Sequence, residues 1–427
     1  MKRVRIGLLG CGVVGGGLCE LIRRNRAVVS DRTGVELHVQ RVLVRDPKKE
    51  RPVARDLVTT DASTILDAPD VDIVVELIGG LEPARAYIAR AIEAKKNVVT
   101  ANKALLAVSG ADLFRRAADR RVKIGFEASV CGGIPIIRAI SAGLVGNRIS
   151  TLVGIVNGTC NFILTKMAEE KCSFAAALAD AQKRGFAEAD PSLDIDGRDA
   201  AQKLQILAEI AFGVELDETS FPVEGIRHVE DEDIRTAAEL GYVLKHVVIG
   251  KDLGDALDLR AHPALLPDVH PLAHVRNEFN SVLLRGDAVD EMIFTGKGAG
   301  SLPTASAVLS DIIDISQNGH GHADAVWHVP EGRPKPVAGD VESKYYLRFP
   351  IRDAPGVIGL IATALGNRGI SISHASATLV EGKPGYGNVK ILAHDCRESS
   401  LRKALDEIAR LPVLAGKPVM IRIFEEG

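Results

Sequence analysis

The sequence predicts an α/β protein made of a doubly wound parallel sheet, an α+β domain and a ferredoxin-like domain. The 427-residue chain exceeds the roughly 250 to 300 residues that one hydrophobic core supports, so it divides into domains. Aromatic residues make up 4% of it, so aliphatic side chains build the cores, as in buried parallel sheets. Strand-like apolar runs alternate with helical periodicities near the N-terminus, which is typical of a parallel sheet with crossover helices.

The N-terminal elements follow the order of a Rossmann-type domain. Apolar runs of strand length end at turns, and apolar residues then recur at helical spacing. The predicted elements are the strand Val4–Leu9, helix Val13–Arg24, strand Val35–Val44, strand Val71–Ile78, helix Pro83–Ala94 and strand Asn97–Thr100. We therefore expect a dinucleotide-binding domain over residues 1–127, completed by a helix near residues 303–318.

The pattern changes after Glu127, and an α+β domain for substrate binding and dimerisation is expected over residues 128–318. Its predicted elements are the helix Ile136–Leu144, strand Ile149–Val156, helices Phe174–Arg184, Asp199–Phe212 and Asp233–Ile249, strands Leu257–Pro267 and Glu278–Thr295, and helix Ala305–Ile315. Residues 319–340 contain three prolines and few apolar residues, which indicates a linker. The alternative, a metal site, would use His320, His322 and His328.

The last region, residues 341–427, has the order of a ferredoxin-like split unit, βαββαβ. Its predicted elements are the strand Tyr345–Ile351, helix Gly356–Arg368, strands Ile370–Leu379 and Gly387–Ala393, helix Ser399–Leu411 and strand Val419–Phe424. We expect this region to fold as a domain of its own.

Charge and cysteine content exclude several classes of protein. A net charge of −3 provides no basic field for nucleic acid or an anionic membrane, so neither is expected as a partner. The six cysteines contain no C-x-x-C pair, which argues against a disulfide framework or a zinc site and fits a reducing compartment. No window reaches the roughly 18 apolar residues of a membrane span. We expect a cytoplasmic protein.

The glycine cluster Gly10-Cys-Gly12-Val13-Val14-Gly15 lies between a predicted strand and helix, as a dinucleotide fingerprint requires. Gly10 would form the tight turn, Gly12 would let the backbone approach a pyrophosphate, and Gly15 would allow close helix packing. The helix N-terminus at Val13 and Val14 would then face the phosphates. A merely tight turn between strand and helix is the alternative.

The end of the second strand leaves the choice between NAD and NADP open. Dinucleotide-binding domains that use NAD carry an acid here for the ribose 2′-hydroxyl, whereas an arginine accommodates the 2′-phosphate of NADP. Arg45 stands at this position and favours NADP, while Asp46 follows directly and could serve NAD. The neighbouring lysines also fit a charged surface loop.

The segment Gly185–Lys203 concentrates five carboxylates beside a predicted helix. An EF-hand loop fails because alignment on Asp194, Asp196 and Gly197 places Lys203 where the bidentate glutamate belongs. Asp199 and Lys203 are four residues apart on one helical face, which fits an ordinary ion pair. A lysine among carboxylates could equally shuttle a proton to a carbonyl oxygen, and spacing alone does not decide between the two.

Five motifs together resemble the homoserine dehydrogenase family. They are the N-terminal fingerprint, Thr100-Ala-Asn-Lys103, Glu127-Ala-Ser-Val-Cys-Gly-Gly-Ile-Pro135, Gly154-Ile-Val-Asn-Gly-Thr-Cys-Asn-Phe-Ile163, and the Gly185–Lys203 run. The resemblance spans residues 1 to about 320 and implies NAD(P)-dependent interconversion of L-aspartate 4-semialdehyde and L-homoserine, in threonine, methionine and isoleucine biosynthesis. Because the fingerprint starts within the first fifteen residues, we expect no preceding kinase domain and therefore a monofunctional enzyme.

The resemblance assigns roles to individual residues. Lys203 matches the family's proton-donating lysine, and Lys103 matches a lysine that polarises the aldehyde oxygen and complements the substrate carboxylate. Glu188 and Asp199 match the carboxylates that hold the substrate amino group, and Asp194 matches one near the reacting centre. The expected dinucleotide contacts are Gly10, Gly12, Val13, Val14, Gly15, Arg45, Thr100, Lys103, Gly185 and Gly300. Gly185 and Gly300 are added by the resemblance, whereas Arg45 rests on its place after the second strand.

The resemblance also implies a monovalent cation, such as sodium, bound by Glu127, Val130, Gly132 and Ile134. Glycine-rich packing against the sheet is the alternative interpretation of that loop.

The C-terminal region resembles an ACT regulatory domain. The resemblance rests on Asp353-Ala-Pro-Gly356-Val before the first helix and Asn367-Arg-Gly-Ile-Ser-Ile372 after it. ACT domains pair through their sheets and bind amino acids, so the resemblance implies threonine feedback in a homodimer or homotetramer. A role in dimerisation alone is the alternative.

Two other functions remain open at this point. An acylating aspartate-semialdehyde dehydrogenase would use Cys131 as its nucleophile, which requires a histidine base. No histidine lies between His38 and His228 to suggest one nearby. A non-catalytic sensor of nucleotide and amino acid is the second alternative, and the presence of Lys203 argues against it.

Overall fold

The computed structural model describes residues 1–217, 219–318, 335–380 and 382–425. Within these residues the strands form two sheets, one six-stranded and parallel and one nine-stranded and mixed. Helices cover the parallel sheet, and the α/β class predicted from the sequence is confirmed.

The parallel sheet has the strand order β3-β2-β1-β4-β5-β6. Its strands are β1 Lys2–Leu9, β2 Val35–Leu43, β3 Val58–Thr59, β4 Ile73–Glu76, β5 Asn97–Thr100 and β6 Ile124–Gly125. Its helices are α1 Val13–Arg24, α2 Arg26–Thr33, α3 Ser63–Leu66, α4 Ala84–Glu93 and α5 Lys103–Arg120. The chain order reverses beside β1, so a crevice opens at the carboxyl ends of β1 and β4, where doubly wound sheets bind ligands.

Helix α12, Ser301–Asn318, returns from the second half of the chain to pack on the first sheet. Its contact with α1 is close, because a Cβ on Gly17 would lie 2.4 Å from the Ser301 Oγ. The same hydroxyl donates to the Val13 carbonyl at 2.8 Å. The start of α12 is therefore fixed beside the N-terminus of α1.

The second sheet has the order β11-β10-β7-β8-β9-β15-β12-β14-β13. Its first five strands are β7 Ile149–Ile155, β8 Tyr242–Asp252, β9 Leu257–Pro267, β10 Phe279–Gly286 and β11 Asp290–Lys297. The helices of this part are α6 Ile136–Arg138, with a π-helical turn over Ala139–Gly143, α7 Gly158–Glu170, α8 Phe174–Lys183, α9 Ser192–Ile195, α10 Arg198–Phe212 and α11 Asp231–Glu239. Helix α10 is buried along most of its length.

The predicted helix over Asp233–Ile249 is wrong. Helix α11 ends at Glu239, Gly241 follows with a φ of 80°, and strand β8 pairs antiparallel with β9. The centre of β8 is buried without alternation, so its apolar run lacks the period of two that identifies a half-exposed strand. The predicted strand over Glu278–Thr295 is a hairpin of two strands, β10 and β11.

The predicted βαββαβ order is confirmed in residues 341–380 and 382–425, the C-terminal unit. Its elements are β12 Glu342–Arg352, α13 Val357–Gly366, β13 Ile372–Leu379, β14 Tyr386–Arg397, α14 Glu398–Ile408 and β15 Val419–Ile423. Strand β15 pairs in parallel with β9, matching Arg422 to Ala264 and Ile423 to Leu265. The sheet of the C-terminal unit therefore continues the sheet of the preceding domain.

The predicted linker lies mostly outside the described residues, and so do His320, His322 and His328. Its last residues lie against β9, where Leu257 donates its N–H to the Pro336 carbonyl at 2.9 Å and Ala338 donates to the Leu257 carbonyl at 2.7 Å. None of the helices described is long and apolar enough to cross a membrane.

Candidate active site

The three glycines of the fingerprint, at the carboxyl end of β1, differ in the atoms that surround their Cβ positions. Gly10 has a φ of 96°, and a Cβ there would lie 2.7 Å from the Leu77 carbonyl oxygen. A Cβ on Gly15 would lie 2.3 Å from the Gly10 oxygen, so α1 packs directly on the turn. Gly12 has nothing within 4 Å of its Cβ position. The turn thus leaves open space at the N-terminus of α1, which fits a pyrophosphate.

The loop after β2 carries Arg45 and Asp46, the two candidates for contact with the ribose of the dinucleotide. The Asp46 Oδ1 accepts the Lys48 N–H at 2.9 Å, and the Asp46 carbonyl accepts from the Arg51 guanidinium at 2.8 Å. Both side chains are exposed, and Asp46 is engaged within its own loop. This arrangement leaves Arg45 available to a ligand phosphate beside the fingerprint.

Glu76 and Thr100 join the ends of β4 and β5. The Thr100 hydroxyl donates to the Glu76 Oε2 at 2.7 Å, while the Glu76 Oε1 accepts the N–H groups of Ile78 and Gly79. Both side chains are fully buried. The sequence analysis predicted Thr100 but not Glu76, whose carboxylate shapes the loop after β4.

Lys203 and Asp199 form a buried pair on α10. The Lys203 Nζ donates to the Asp199 Oδ2 at 2.8 Å and to the Val156 carbonyl at 2.7 Å. An ammonium group has three donors, so these contacts leave one donor for another ligand. The surface ion pair that spacing had left open is therefore excluded, since Lys203 is 9% exposed and Asp199 is 5% exposed.

Asn157 connects the two aspartates of the cluster, and the sequence analysis assigned it no role. Its Nδ2 donates to the Asp194 Oδ1 and to the Asp199 Oδ2, each at 2.7 Å. Its Oδ1 caps helix α7 by accepting the Cys160 N–H at 2.8 Å. One side chain thus fixes both carboxylates relative to α7. Its place within the Gly154–Ile163 motif was the only sequence signal for it.

Lys103 reaches the same cluster from the first domain. It begins helix α5, and its Nζ lies 3.2 Å from the Asp199 Oδ1. The ion pair therefore crosses between the dinucleotide side and the Lys203 side of the site. Asp199 contacts both lysines, a role that the sequence analysis did not predict.

Electrostatics keep this cluster ionised around Asp199. Burial opposes the charge on Asp199, but Lys203 and Lys103 outweigh it, so its pKa lies well below the usual value. Burial also works against the charge on Lys203, yet Asp199 outweighs it and raises the lysine pKa. Asp194 differs, because burial and the nearby Asp199 charge raise its pKa.

Glu188 is exposed, and the segment that carries it is connected to Asp194 through Thr159. The Thr159 Oγ1 lies 2.8 Å from the Phe186 carbonyl oxygen and 3.1 Å from the Asp194 Oδ2, so its single O–H can donate to either acceptor. This bridge holds the segment that carries Gly185 and Glu188 next to Asp194. Thr159 is a second site residue to which the sequence analysis assigned no role.

The Gly298–Gly300 turn lies against the Glu127–Ile134 loop. A Cβ on Gly132, where φ is 38°, would lie 2.6 Å from the Gly298 oxygen. Gly300 has a φ of 122° and directly precedes α12. The turn therefore connects the predicted cation loop to the start of α12.

Glu127 is buried beside Asp311. Its two carboxylate oxygens accept the N–H groups of Ile137 and Arg138 at 2.9 Å, and the Asp311 Oδ2 accepts the Glu127 N–H at 2.9 Å. Burial raises the pKa of Glu127. Among the residues that the structure describes, no three His, Cys, Asp or Glu side chains converge on a metal position.

Cys131 does not have the surroundings of a catalytic nucleophile. It is 1% exposed, and burial raises the pKa of its thiol. Its polar contact is with the Asn280 Nδ2, at 3.6 Å. A reactive cysteine needs a stabilised thiolate and access for the substrate, so the geometry contradicts the acylating alternative.

Comparisons with known proteins point to one family. A family model described as homoserine dehydrogenase matches residues 135–313, and one described as its NAD binding domain matches residues 10–127. Homoserine dehydrogenase of Bacillus subtilis is 39% identical over 422 residues, covering 97% of this chain and 96% of the relative.

Two solved structures extend the comparison. A homoserine dehydrogenase from Thiobacillus denitrificans is 40% identical with a TM-score of 0.92, covering 100% of this chain and 99% of that chain. A hyperthermophilic archaeal homoserine dehydrogenase in complex with NADPH is 27% identical with a TM-score of 0.64, covering 74% and 99%. On these matches, the chain belongs to the homoserine dehydrogenase family of NAD(P)-dependent oxidoreductases.

Proposed function

We propose that the cluster of Lys203, Asp199, Asp194 and Lys103 carries out the interconversion of L-aspartate 4-semialdehyde and L-homoserine. The observation that carries this proposal is the Lys203 ammonium, which has two donors engaged at 2.7 and 2.8 Å and one left for the substrate. A bound nicotinamide dinucleotide would supply or accept the hydride.

Lys203 moves the proton at the substrate oxygen. In the direction of reduction, its ammonium donates a proton to the aldehyde oxygen as negative charge develops there. Asp199 raises the lysine pKa, so Lys203 is protonated and ready to donate. In the direction of oxidation, the same nitrogen must first lose its proton and then takes the proton of the homoserine hydroxyl.

The carboxylates and Lys103 orient the substrate. Glu188 and Asp199 hold its amino group, and Asp194 lies near the reacting carbon. The Lys103 Nζ, 3.2 Å from the Asp199 Oδ1, complements the substrate carboxylate and polarises the aldehyde oxygen. Two lysines and three carboxylates suit a substrate that carries both an ammonium and a carboxylate group.

The dinucleotide would lie along the carboxyl edge of the parallel sheet. Gly10, Gly12, Val13, Val14 and Gly15 would hold the pyrophosphate, because the space over Gly12 is open. The further contacts that we propose are Thr100, Lys103, Gly185 and Gly300. A related archaeal homoserine dehydrogenase was solved in complex with NADPH, which supports a dinucleotide as the cofactor.

Replacing Arg45 with alanine should raise KM for NADP about tenfold and leave KM for NAD within about twofold. One charge-assisted contact to a 2′-phosphate contributes about 1.5 to 3 kcal/mol, and NAD has no such phosphate. Steady-state rates of homoserine oxidation with each dinucleotide provide the measurement. Lys48→Ala in the same loop is the control. Equal losses with both dinucleotides would show that Arg45 does not contact the 2′-phosphate.

We also propose that a monovalent cation such as sodium binds at the loop of Glu127, Val130, Gly132 and Ile134. A carboxylate and backbone carbonyls are the ligands of a hard cation. Burial raises the pKa of Glu127, and a cation beside it would stabilise the ionised form. The ion would serve the site indirectly, by holding this loop against the Gly298–Gly300 turn.

The C-terminal unit is proposed to bind threonine as an inhibitor and to pair with a second copy. Helix α13 exposes Ile358 and Leu360 at 42% and 47%, which association would cover. Homoserine oxidation should therefore fall by at least about tenfold at saturating threonine, the size of an ordinary allosteric coupling. Unchanged activity would reduce the C-terminal unit to a structural role.

The free cysteines fit a cytoplasmic enzyme.

A further inference from the structure

An ionic cluster around one buried arginine joins the C-terminal unit to the preceding domain. Arg422 on β15 is 2% exposed and donates to both oxygens of Glu224 at 3.0 Å. It also donates to both oxygens of Glu398 on α14, at 2.7 and 2.8 Å. Arg402 bonds the same two glutamates. We call these four residues the Arg422 cluster. Its only member from outside the C-terminal unit is Glu224.

Glu224 belongs to a segment that packs on the turn carrying the substrate carboxylates. The next residue, Gly225, has space for no side chain, because its Cβ would lie 2.1 Å from the Ile195 oxygen. Ile226 donates its N–H to the same oxygen at 2.8 Å. The backbone of residues 224–226 therefore lies directly against the turn that begins after Asp194.

The contact continues to the start of α10. Gly197 has a φ of 84°, and its Cβ would lie 3.0 Å from the Glu224 carbonyl oxygen. That oxygen also accepts from the His246 Nε2, at 2.9 Å, from strand β8. Asp199 lies two residues beyond Gly197, in the first turn of α10. Glu224 also donates its N–H to the Ala261 carbonyl on β9 at 2.8 Å. Its backbone therefore lies between β9 and the turn that runs from Asp194 to Asp199.

We propose that Arg422 is a positioning residue for the reaction, which holds Asp194 and Asp199 in their working geometry through Glu224. The inference rests on the substrate-binding roles proposed for those two aspartates. It gives the C-terminal unit a connection to the site, since Arg422 on β15 and Arg402 on α14 both bond Glu224, whose backbone packs on the turn that carries the aspartates. Loss of the ion pair between Arg422 and Glu224 leaves Arg402 as the weaker partner of Glu224. The segment that supports the turn then becomes less rigid.

A second buried pair between the same two parts of the chain provides a matched control. Arg348 on β12 is 2% exposed and donates to both oxygens of Asp233 at 2.7 and 3.0 Å. Asp233 lies in α11, outside the Asp194–Asp199 turn. Arg348→Met and Arg422→Met thus each remove a buried arginine that binds both oxygens of a carboxylate in the preceding domain, and only the second acts on the turn.

Steady-state kinetics of homoserine oxidation distinguish the two variants. Arg422→Met should raise KM for homoserine and lower kcat/KM by about tenfold, within the range of energetic coupling through packed contacts. KM for NADP should stay within about twofold, and Arg348→Met should leave both constants near wild type. Equal changes in the two variants, or an unchanged KM for homoserine in Arg422→Met, would overturn the proposal.

Conservative variants keep the test decisive if Arg422→Met fails to fold. Arg422→Lys keeps the charge but loses the bidentate contact. Its KM for homoserine should therefore lie between those of the wild type and Arg422→Met. Glu224→Gln keeps the size of the side chain and should raise KM for homoserine in the same way. Wild-type kinetics in both folded variants would exclude the positioning role. Failure of the aspartate assignments would appear separately, as full activity in Asp199→Asn.

Discussion

Replacing Lys203 with methionine should lower kcat for homoserine oxidation by about 10² to 10⁴-fold, the range of a lost proton donor. Methionine fills similar space but has no proton to donate. Asp199 keeps its contacts with Lys103 and Asn157, so the fold should survive a loss of about 3 kcal/mol from the broken buried pair. Dinucleotide binding should be unchanged, because Lys203 contacts the substrate side of the site.

Lys245→Met is the control for loss of a buried lysine. Lys245 is 3% exposed and donates to the Asn161 Oδ1 and the Val275 carbonyl, away from Asp199. The midpoint temperature of thermal unfolding should fall in both variants. The large decrease in kcat should occur only in Lys203→Met. If a folded Lys203→Met variant kept full kcat, Lys203 would not be the residue that moves the proton.

Replacing Gly12 with valine should raise Kd for NADP about 100-fold without unfolding the protein. The Cβ position of Gly12 is open, and its φ of −84° lies outside the left-handed region that favours glycine. The side chain would enter the space proposed for the pyrophosphate. Loss of two charge-assisted hydrogen bonds of about 1.5 kcal/mol each corresponds to about 100-fold in affinity. Fluorescence titration of NADPH measures the change.

Gly146→Val controls for the substitution itself. Gly146 also has nothing within 4 Å of its Cβ position, and it lies in an exposed turn before β7. Its variant should bind NADPH like the wild type. Gly15 would be a poorer test, because its Cβ would lie 2.3 Å from the Gly10 oxygen and would disturb the fold. If Gly12→Val bound NADPH as tightly as the wild type, the pyrophosphate would not lie over Gly12.

Local spacing predicted the parts of the site that lie close together in the chain. The fingerprint identified Gly10, Gly12 and Gly15 because a strand, a turn and a helix follow one another directly. Asp199 and Lys203 were recognisable as a pair because residues four apart share a helical face. Spacing could not decide whether that pair was buried, since burial depends on strands and helices from distant parts of the chain.

Residues that act across the fold were missed for the same reason. Asn157 bridges Asp194 and Asp199 from about 40 residues away, and an asparagine before a helix is normally just a cap. Glu76 meets Thr100 only once β4 and β5 are adjacent. The helix predicted over Asp233–Ile249 failed because a strand buried on both faces lacks the alternation that reveals strands.

The most direct test of the proposed chemistry is homoserine-dependent reduction of NADP by the purified chain in phosphate-free buffer, followed by the absorbance of the reduced nicotinamide. We expect reduction that depends on homoserine, needs no phosphate and becomes faster as pH rises, because Lys203 must lose its proton before it can accept one from the hydroxyl. A folded chain that binds NADPH but reduces no NADP with homoserine would contradict the assignment and favour a sensor.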